Sequence, residues 1–579
     1  MLSKMKSLKK ILFVTLFFLC TTTWSHGLDE TYITEWKKFY PSKSLSSGIH
    51  ASIFQFENFS KDNIEQWLNF NEQFLLKLSK KDADIDAIDP IDARLLRVQV
   101  LSEIDQWKKL SLHKSSLQMY TRLIANAIDP ILTADYLIAP EKIDLICQRF
   151  QQVTELSHAA KNNLTGVAED DLSRGLNNLS ATLAFYKNDL SQTVQAEFST
   201  NSCQDFNSKL QNTIKSLDEL HAFAKDTLSK NALQPQKIIG YDEYARRLKL
   251  YTDSELTPEA LAQMALEEIE IVRALMGEVS KTYLQATYPD EPIPDNDNEL
   301  TAKALADMEK DAPLNAEEYL QFWNQLSEAA VQFIKDHDIA TLPKNNTLRI
   351  VTAPESAGPA ARIGWVASAP PFDPNPITTL NLPSIPETLP KQEQLDFWAS
   401  FNKPFNRMIV IHELFPGHYM QLKISRETAH PIRLLFPYGI YTEGWATFTE
   451  KVLLDAGWEK ENHLTYLAHL RKRLENANRA YTSVQVHCNG WSQEQVMKFS
   501  TETSLLAPQF AKSLWGRIIN SPMQLTSYFL GGSQFTKLLD AEKARLGDEF
   551  NLKLFMDTIM KAGPIPIDEF YKIFPLIKP

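Results

Sequence analysis

The stretch from Met408 to His418 constrains this chain more than any other. It reads Met-Ile-Val-Ile-His-Glu-Leu-Phe-Pro-Gly-His, an apolar run closing on His412 and Glu413, then Pro416-Gly417 and His418. A helix carrying His-Glu-x-x-His holds zinc between its two histidines and uses the glutamate to activate water. Here the second histidine stands six residues on instead of four. At about 100° per residue, six steps leave two side chains about 120° apart on an unbroken helix, too far round to share an ion. Proline removes a backbone donor and glycine admits torsions closed to other residues, so the helix has to break at Pro416-Gly417 if His418 is to swing back. Without that break, the same residues describe a core histidine and a helix cap.

The sequence downstream favours the metal. Tyr441-Thr442-Glu443-Gly444-Trp445-Ala446-Thr447-Phe448-Thr449-Glu450 predicts a second helix, with Glu443 in its first turn and Glu450 two turns later on the same face. Zincins with a glutamate as third ligand take it from such a following helix. The expected set is therefore His412, His418 and Glu443 around one zinc ion, with Glu413 as base and Glu450 placed to orient a ligand histidine.

His-Glu-x-x-Pro-Gly-His followed by Glu-Gly-Trp-Ala resembles the bacterial family known as domain of unknown function 885, whose members are taken for zinc metallopeptidases. Other blocks agree. Tyr241-Asp242-Glu243-Tyr244-Ala245-Arg246-Arg247 is one, with Tyr251-Thr252 and Leu256-Thr257-Pro258-Glu259. Arg479 through His487 with Gly490-Trp491 is another, and Ser521 through Gly531, containing Tyr528, is a third. The resemblance runs from about Tyr241 to the C-terminus and more weakly upstream. It implies a mainly α, multi-helix zincin-like metallopeptidase, similar in layout to the thimet-oligopeptidase and Taq-carboxypeptidase group. One block departs from the pattern: Ser483 stands where an aspartate is expected and Gln485 where a glycine is. A carboxylate at 483 would raise the basicity of His487, and without it His487 carries less weight as an essential charge.

Only 18 glycines, against abundant Leu, Ala, Glu, Lys and Gln, also argue for helices. Apolar residues at helical spacing predict helices over residues 63–79, 92–108, 162–185 and 206–228, with a loop over 289–297. Residues 343–383 differ. Three β-rich runs, 348–352, 363–367 and 377–382, predict a small sheet just ahead of the metal helix. A strand there could pair with an extended peptide, with Asn381 as a substrate contact, or it could simply cover the helical core. The expected organisation is an export signal over residues 1–25, an N-terminal helical region over 26–230 and a catalytic region over 231–579, the last two packed as one unit.

Lys4, Lys6, Lys9 and Lys10 precede an apolar run from Ile11 to Cys20 and a small polar stretch ending at Ser25, the order of a secretory signal. The run is too short to span a bilayer. Leu19 stands where lipoprotein processing before Cys20 needs a small residue. The expectation is cleavage after Ser25 and a periplasmic or secreted protein, with no stable membrane insertion. Cleavage removes four lysines and no acidic residue, taking the net charge from −12 to −16. That balance argues against nucleic acid as a partner. After export Cys147, Cys203 and Cys488 remain. The first two could bridge helices in an oxidising compartment or stay as buried thiols, and Cys488 reads as packing.

Peptide hydrolysis also needs a donor for the oxyanion. Tyr528, ahead of Gly531-Gly532, is the first candidate, expected on a bend facing the metal, with a core tyrosine as the alternative. His487 is the second. Arg479 could hold a substrate carboxylate, although a structural salt bridge fits it better. Three functions stay open: a zinc peptidase on oligopeptides, a zinc hydrolase of other amides or esters, and a peptide-binding protein without metal. Oligomeric state is not legible.

Overall fold

Residues with high helix propensity and few glycines yield a mainly helical molecule with one small sheet. The computed structural model describes residues 27–80, 88–197, 203, 205–234, 238–345, 347–506 and 508–577. The export signal expected over residues 1–25 lies outside them. In the N-terminal part the main helices are α1 (Leu28–Phe39), α2 (Lys61–Leu78), α3 (Pro90–Ile104), α4 (Ala139–Asn163), α5 (Glu169–Ala184) and α6 (Phe206–Phe223). Both α3 and α6 run on through a π-turn, at Asp105–Lys109 and Ala224–Leu228.

The helix expected over 162–185 is two helices. Apolar spacing continues across the junction, but Leu164 turns extended and the chain pairs elsewhere. Thr165 N–H donates to Lys114 O, Leu233 N–H to Val167 O and Glu169 N–H to Leu233 O. A long-range backbone contact thus overrides local periodicity. Cys147 in α4 is bonded to Cys203, ahead of α6, so the two cysteines do bridge. The bond closes a separation of 56 residues. Cys203→Ser is expected to cost about 2–4 kcal/mol, read as a lower melting temperature under oxidising conditions. An unchanged melt would mean the bridge constrains nothing.

The C-terminal part is built on α7 (Pro258–Thr287), α8 (Lys403–Glu413), α9 (His418–Thr428), α10 (Tyr441–Asp455), α11 (His463–Asn489) and α12 (Pro522–Leu546). The long pair α7 and α11 pack side by side, α10 lies against α12, and α8 touches both α10 and α11. Asn402 caps α8 by accepting from Phe405 N–H at 3.0 Å. Buried Asn406 then fixes the helix. Its Oδ1 accepts from Tyr319 and Trp323, and its Nδ2 donates to the carbonyls of Phe401 and Asn402. A fully satisfied buried amide of this kind specifies one orientation for the helix. One large hydrophobic core runs from Leu28 to Phe574, joining the N- and C-terminal parts, and a second, smaller cluster gathers Val486, Val496, Leu514, Ile518 and Leu525. No helix among the described residues is long and apolar enough to cross a membrane.

The sheet between α7 and α8 has strands β1 (Leu348–Thr352), β2 (Trp365–Ala367) and β3 (Thr378–Leu382), in the order β1-β3-β2. The strand β3 pairs parallel to β1 and antiparallel to β2. Asn381 therefore sits on the central strand, with its Nδ2 near the carbonyls of Thr379 and Trp365 at 3.4 and 3.5 Å. Both backbone edges of β3 are taken. An extended ligand would therefore add at β1 or β2, and Asn381 would not pair with it through its own backbone.

Candidate metal centre

The break demanded by the six-residue spacing is present. The α8 helix stops at Glu413, where Leu414 leaves helical geometry (φ −117°, ψ −77°), and the Phe415-Pro416 peptide is cis. Gly417 N–H then donates back to Ile411 O at 3.0 Å. A Cβ on Gly417 would collide with the carbonyl oxygens of His412 and Ile411, so only glycine lets the chain fold against the end of α8. Trp445 of α10 donates its Nε1–H to Pro416 O at 3.0 Å and clamps the turn. The next helix, α9, starts at His418 itself.

This turn sets the two imidazoles 4.8 Å apart between centroids and nearly perpendicular, at 88°. His412 Nε2 lies 3.7 Å and His418 Nε2 3.3 Å from Glu443 Oε2. Ligand atoms of the three residues all fall within 4.8 Å of one another. Donors about 2.0–2.2 Å from a tetrahedral zinc are about 3.3–3.6 Å from each other. The His2Glu set suits that ion in chemistry, and its two separations from Glu443 lie at or just beyond that spacing. Glu413 is half-buried, and among the described residues its carboxylate has no ion-pair or hydrogen-bond partner.

Behind the ligands lies a second carboxylate. Glu450, fully buried, binds Nδ1 of His412 at 2.7 Å through one oxygen and Nδ1 of His469 at 2.8 Å through the other. With Nδ1 committed to Glu450, Nε2 is the ring nitrogen of His412 left for the Glu443 side. Burial lowers the proton affinity of His412, but its bonds to Glu443 and Glu450 overcome this and raise its pKa to about 10. Burial pushes Glu450 up, while His412 and His469 hold it down at about 2. Glu443 shows the same contest and ends far below the usual carboxylate range. His469 was not foreseen: it comes from α11, and no spacing ties it to Glu450.

The helices α10 and α12 cross on glycines. A Cβ on Gly444 would strike the backbone of Gly531, and one on Gly531 would strike Ile440 O and Gly444 Cα. Tyr528 stands one turn before that crossing and Glu443 beside it, close enough for the charge of Glu443 to reach the tyrosine. It lies within the α12 helix, however, not on a bend: Pro522 occupies the first turn, and Gly531-Gly532 serve close packing. Burial raises the Tyr528 pKa, and the charge of Glu443 raises it further, which keeps the hydroxyl protonated. Gln524 Nε2 donates to that hydroxyl at 3.1 Å, leaving its own hydrogen free. Tyr251 is a second tyrosine that the charge of Glu443 reaches. Burial is the main reason its pKa rises to about 12, and its hydroxyl donates to Gly439 O at 3.0 Å.

Two other candidates have structural work. Arg479 pairs with Glu475, donates to Asn476 Oδ1 at 3.3 Å, and places its guanidinium 5.1 Å from the Tyr528 ring centre. It braces the tyrosine. His487 is removed from the list of oxyanion donors. Its Nε2 lies 3.0 Å from Ile518 O, its Nδ1 accepts from Ile239 N–H, and its ring stacks on Tyr244. Burial lowers its pKa, as expected of a neutral core histidine. Ser483, in place of the aspartate, bonds Tyr244 and Pro522 O instead. Cys488 is packed with its thiol pushed up to about 12 by burial, so it is not a nucleophile.

Solved proteins share this fold. One described as a "putative lipoprotein of unknown function" from Shewanella oneidensis aligns with a TM-score of 0.81 at 18% identity, covering 95% of this chain and 99% of its own. A "putative lipoprotein" from Colwellia psychrerythraea aligns with a TM-score of 0.69 at 17% identity, covering 94% and 97%. At such identities the likeness is one of fold alone. No curated protein matches the chain. Residues 41–571 match the family described as Bacterial protein of unknown function (DUF885), and the chain belongs to that family.

Proposed function

We propose that this chain is an exported zinc-dependent hydrolase of oligopeptides on a zincin-like helical scaffold. The reading rests on one observation above all. The break at Pro416-Gly417 returns His418 to the side of His412 and Glu443, with Glu413 adjoining. A core histidine with a helix cap would need no such convergence.

Zinc held by His412, His418 and Glu443 would acidify a water and polarise a scissile carbonyl. The chain's own groups supply the rest. Glu413 takes the proton of the attacking water and delivers it to the departing amine. Glu450 holds His412 in one tautomer. Tyr528 donates its free hydroxyl hydrogen to the oxygen that gains charge as the carbonyl is attacked. The Arg479 guanidinium and Gln524 keep that ring and hydroxyl in place. An envelope destination is supported by the N-terminal signal pattern and by the lipoprotein descriptions of the two fold neighbours.

The test is metal content together with product analysis. Purified protein should carry one zinc per chain and cut peptides in preference to small amides and esters. Absence of zinc binding would leave a peptide-binding protein, and cleavage confined to small amides or esters would move the substrate class. Tyr528→Phe should lower kcat by about 10²–10³ with little change in KM, since it removes one oxyanion donor and keeps the ring. An unchanged kcat would reduce Tyr528 to packing.

A further inference from the structure

Beside the metal group, a cavity of about 190 Å³ opens between α7, α10, α11 and α12. Tyr528 and Thr447 line it, and Thr447 follows Glu443 by one turn of α10, so cavity and metal group share a wall. Its polar lining is not internally satisfied. Asn476 is 1% exposed, and its Nδ2 has no hydrogen-bond partner; Thr447 Oγ1 is buried and equally without one. A buried amide left unpaired is costly, and it is retained where a ligand completes it.

The charge of this lining is positive. Lys451, Arg473 and Lys537 line the cavity with one acid, Glu268, while Lys451 is also paired with Asp455 on its own helix. Arg473 gives Nε and Nη2 to one oxygen of Glu268, at 2.9 and 2.8 Å, which leaves Nη1 free. Arg479 and Lys472 stand 5.1 and 6.0 Å from the Tyr528 ring centre. Burial pushes the nearby Glu475 up, yet these cations, with Arg471 and Arg517, hold it down at about 2. A chain of net charge −12 has therefore gathered cations at one wall of its candidate site. Such a wall attracts an anion, and an amide N–H with a guanidinium N–H suits a carboxylate.

We propose that this cavity is a carboxylate subsite, taking the C-terminal carboxylate of a peptide or an acidic side chain close to the bond that is cut. The assignment rests on the peptidase reading above and gives it a substrate class.

The experiment compares three peptides on the zinc-loaded protein: a free acid, its C-terminal amide, and the amide carrying glutamate as last residue. At least one carboxylate-bearing peptide should exceed the plain amide by about 10-fold or more in kcat/KM, the scale of one hydrogen bond to a charged group. In Arg473→Gln and in Asn476→Ala that ratio should fall to within about twofold, with melting temperature recording that both variants fold. Which of the two carboxylates is preferred names the source. If all three peptides are cut alike, or the preference survives in both variants, the subsite is wrong while the peptidase reading stands. If nothing is cut, the free acid and amide are titrated into Glu413→Gln protein by calorimetry. Tighter binding of the acid, lost in Arg473→Gln, keeps the subsite and removes the peptidase; equal binding, or none, overturns the subsite as well.

Discussion

Glu413→Gln is expected to retain one zinc per chain and to lose peptide hydrolysis by at least about 10²-fold, the usual size of a missing general base. The amide keeps the shape of the carboxylate and cannot take a proton. His412→Ala should lose both zinc and activity, since it removes a ligand and leaves Glu450 with an unmatched buried oxygen. Metal analysis beside turnover separates the two variants. Full activity in Glu413→Gln would place the base elsewhere, and Glu450 could not serve, because His412 and His469 occupy both of its oxygens.

Gly417→Ala should be nearly as damaging although it touches neither metal nor substrate. Its new methyl group has to displace the carbonyls of His412 and Ile411, so the turn opens and His418 moves off the common point. Overpacking at a backbone contact costs about 1–3 kcal/mol. Zinc affinity should fall by at least about 10²-fold, at the upper end of what a misplaced ligand shell loses. Zinc content and melting temperature measured together check this. Native values for both would mean that the turn is not what holds His418.

Much of this centre was legible because its parts announce themselves locally. Pro416-Gly417 marks the break, and Glu-Gly-Trp-Ala marks the carboxylate that joins the two histidines one helix later. The position of Glu450, seven residues after Glu443, already placed both carboxylates on one face. What stayed hidden depends on pairs distant in sequence. His469 matters only because α11 passes behind Glu450, and Tyr251 only because its helix ends against Gly439. The same blindness produced the errors. Glycines after Tyr528 suggested a bend because their true cause, Gly444 on another helix, is invisible in that stretch. Residues 162–185 kept a helical apolar pattern while their backbone left to pair with Lys114 and Leu233.

The glycine crossing of α10 and α12 also limits how the centre can move. With backbone on backbone at Gly444 and Gly531, and with Phe535 packed against Tyr441, Trp445 and Phe448, the helices carrying Glu443 and Tyr528 have little room to slide. Ligand and tyrosine then travel as one rigid piece. Any rearrangement of the candidate site then has to leave the Glu443-to-Tyr528 geometry unchanged.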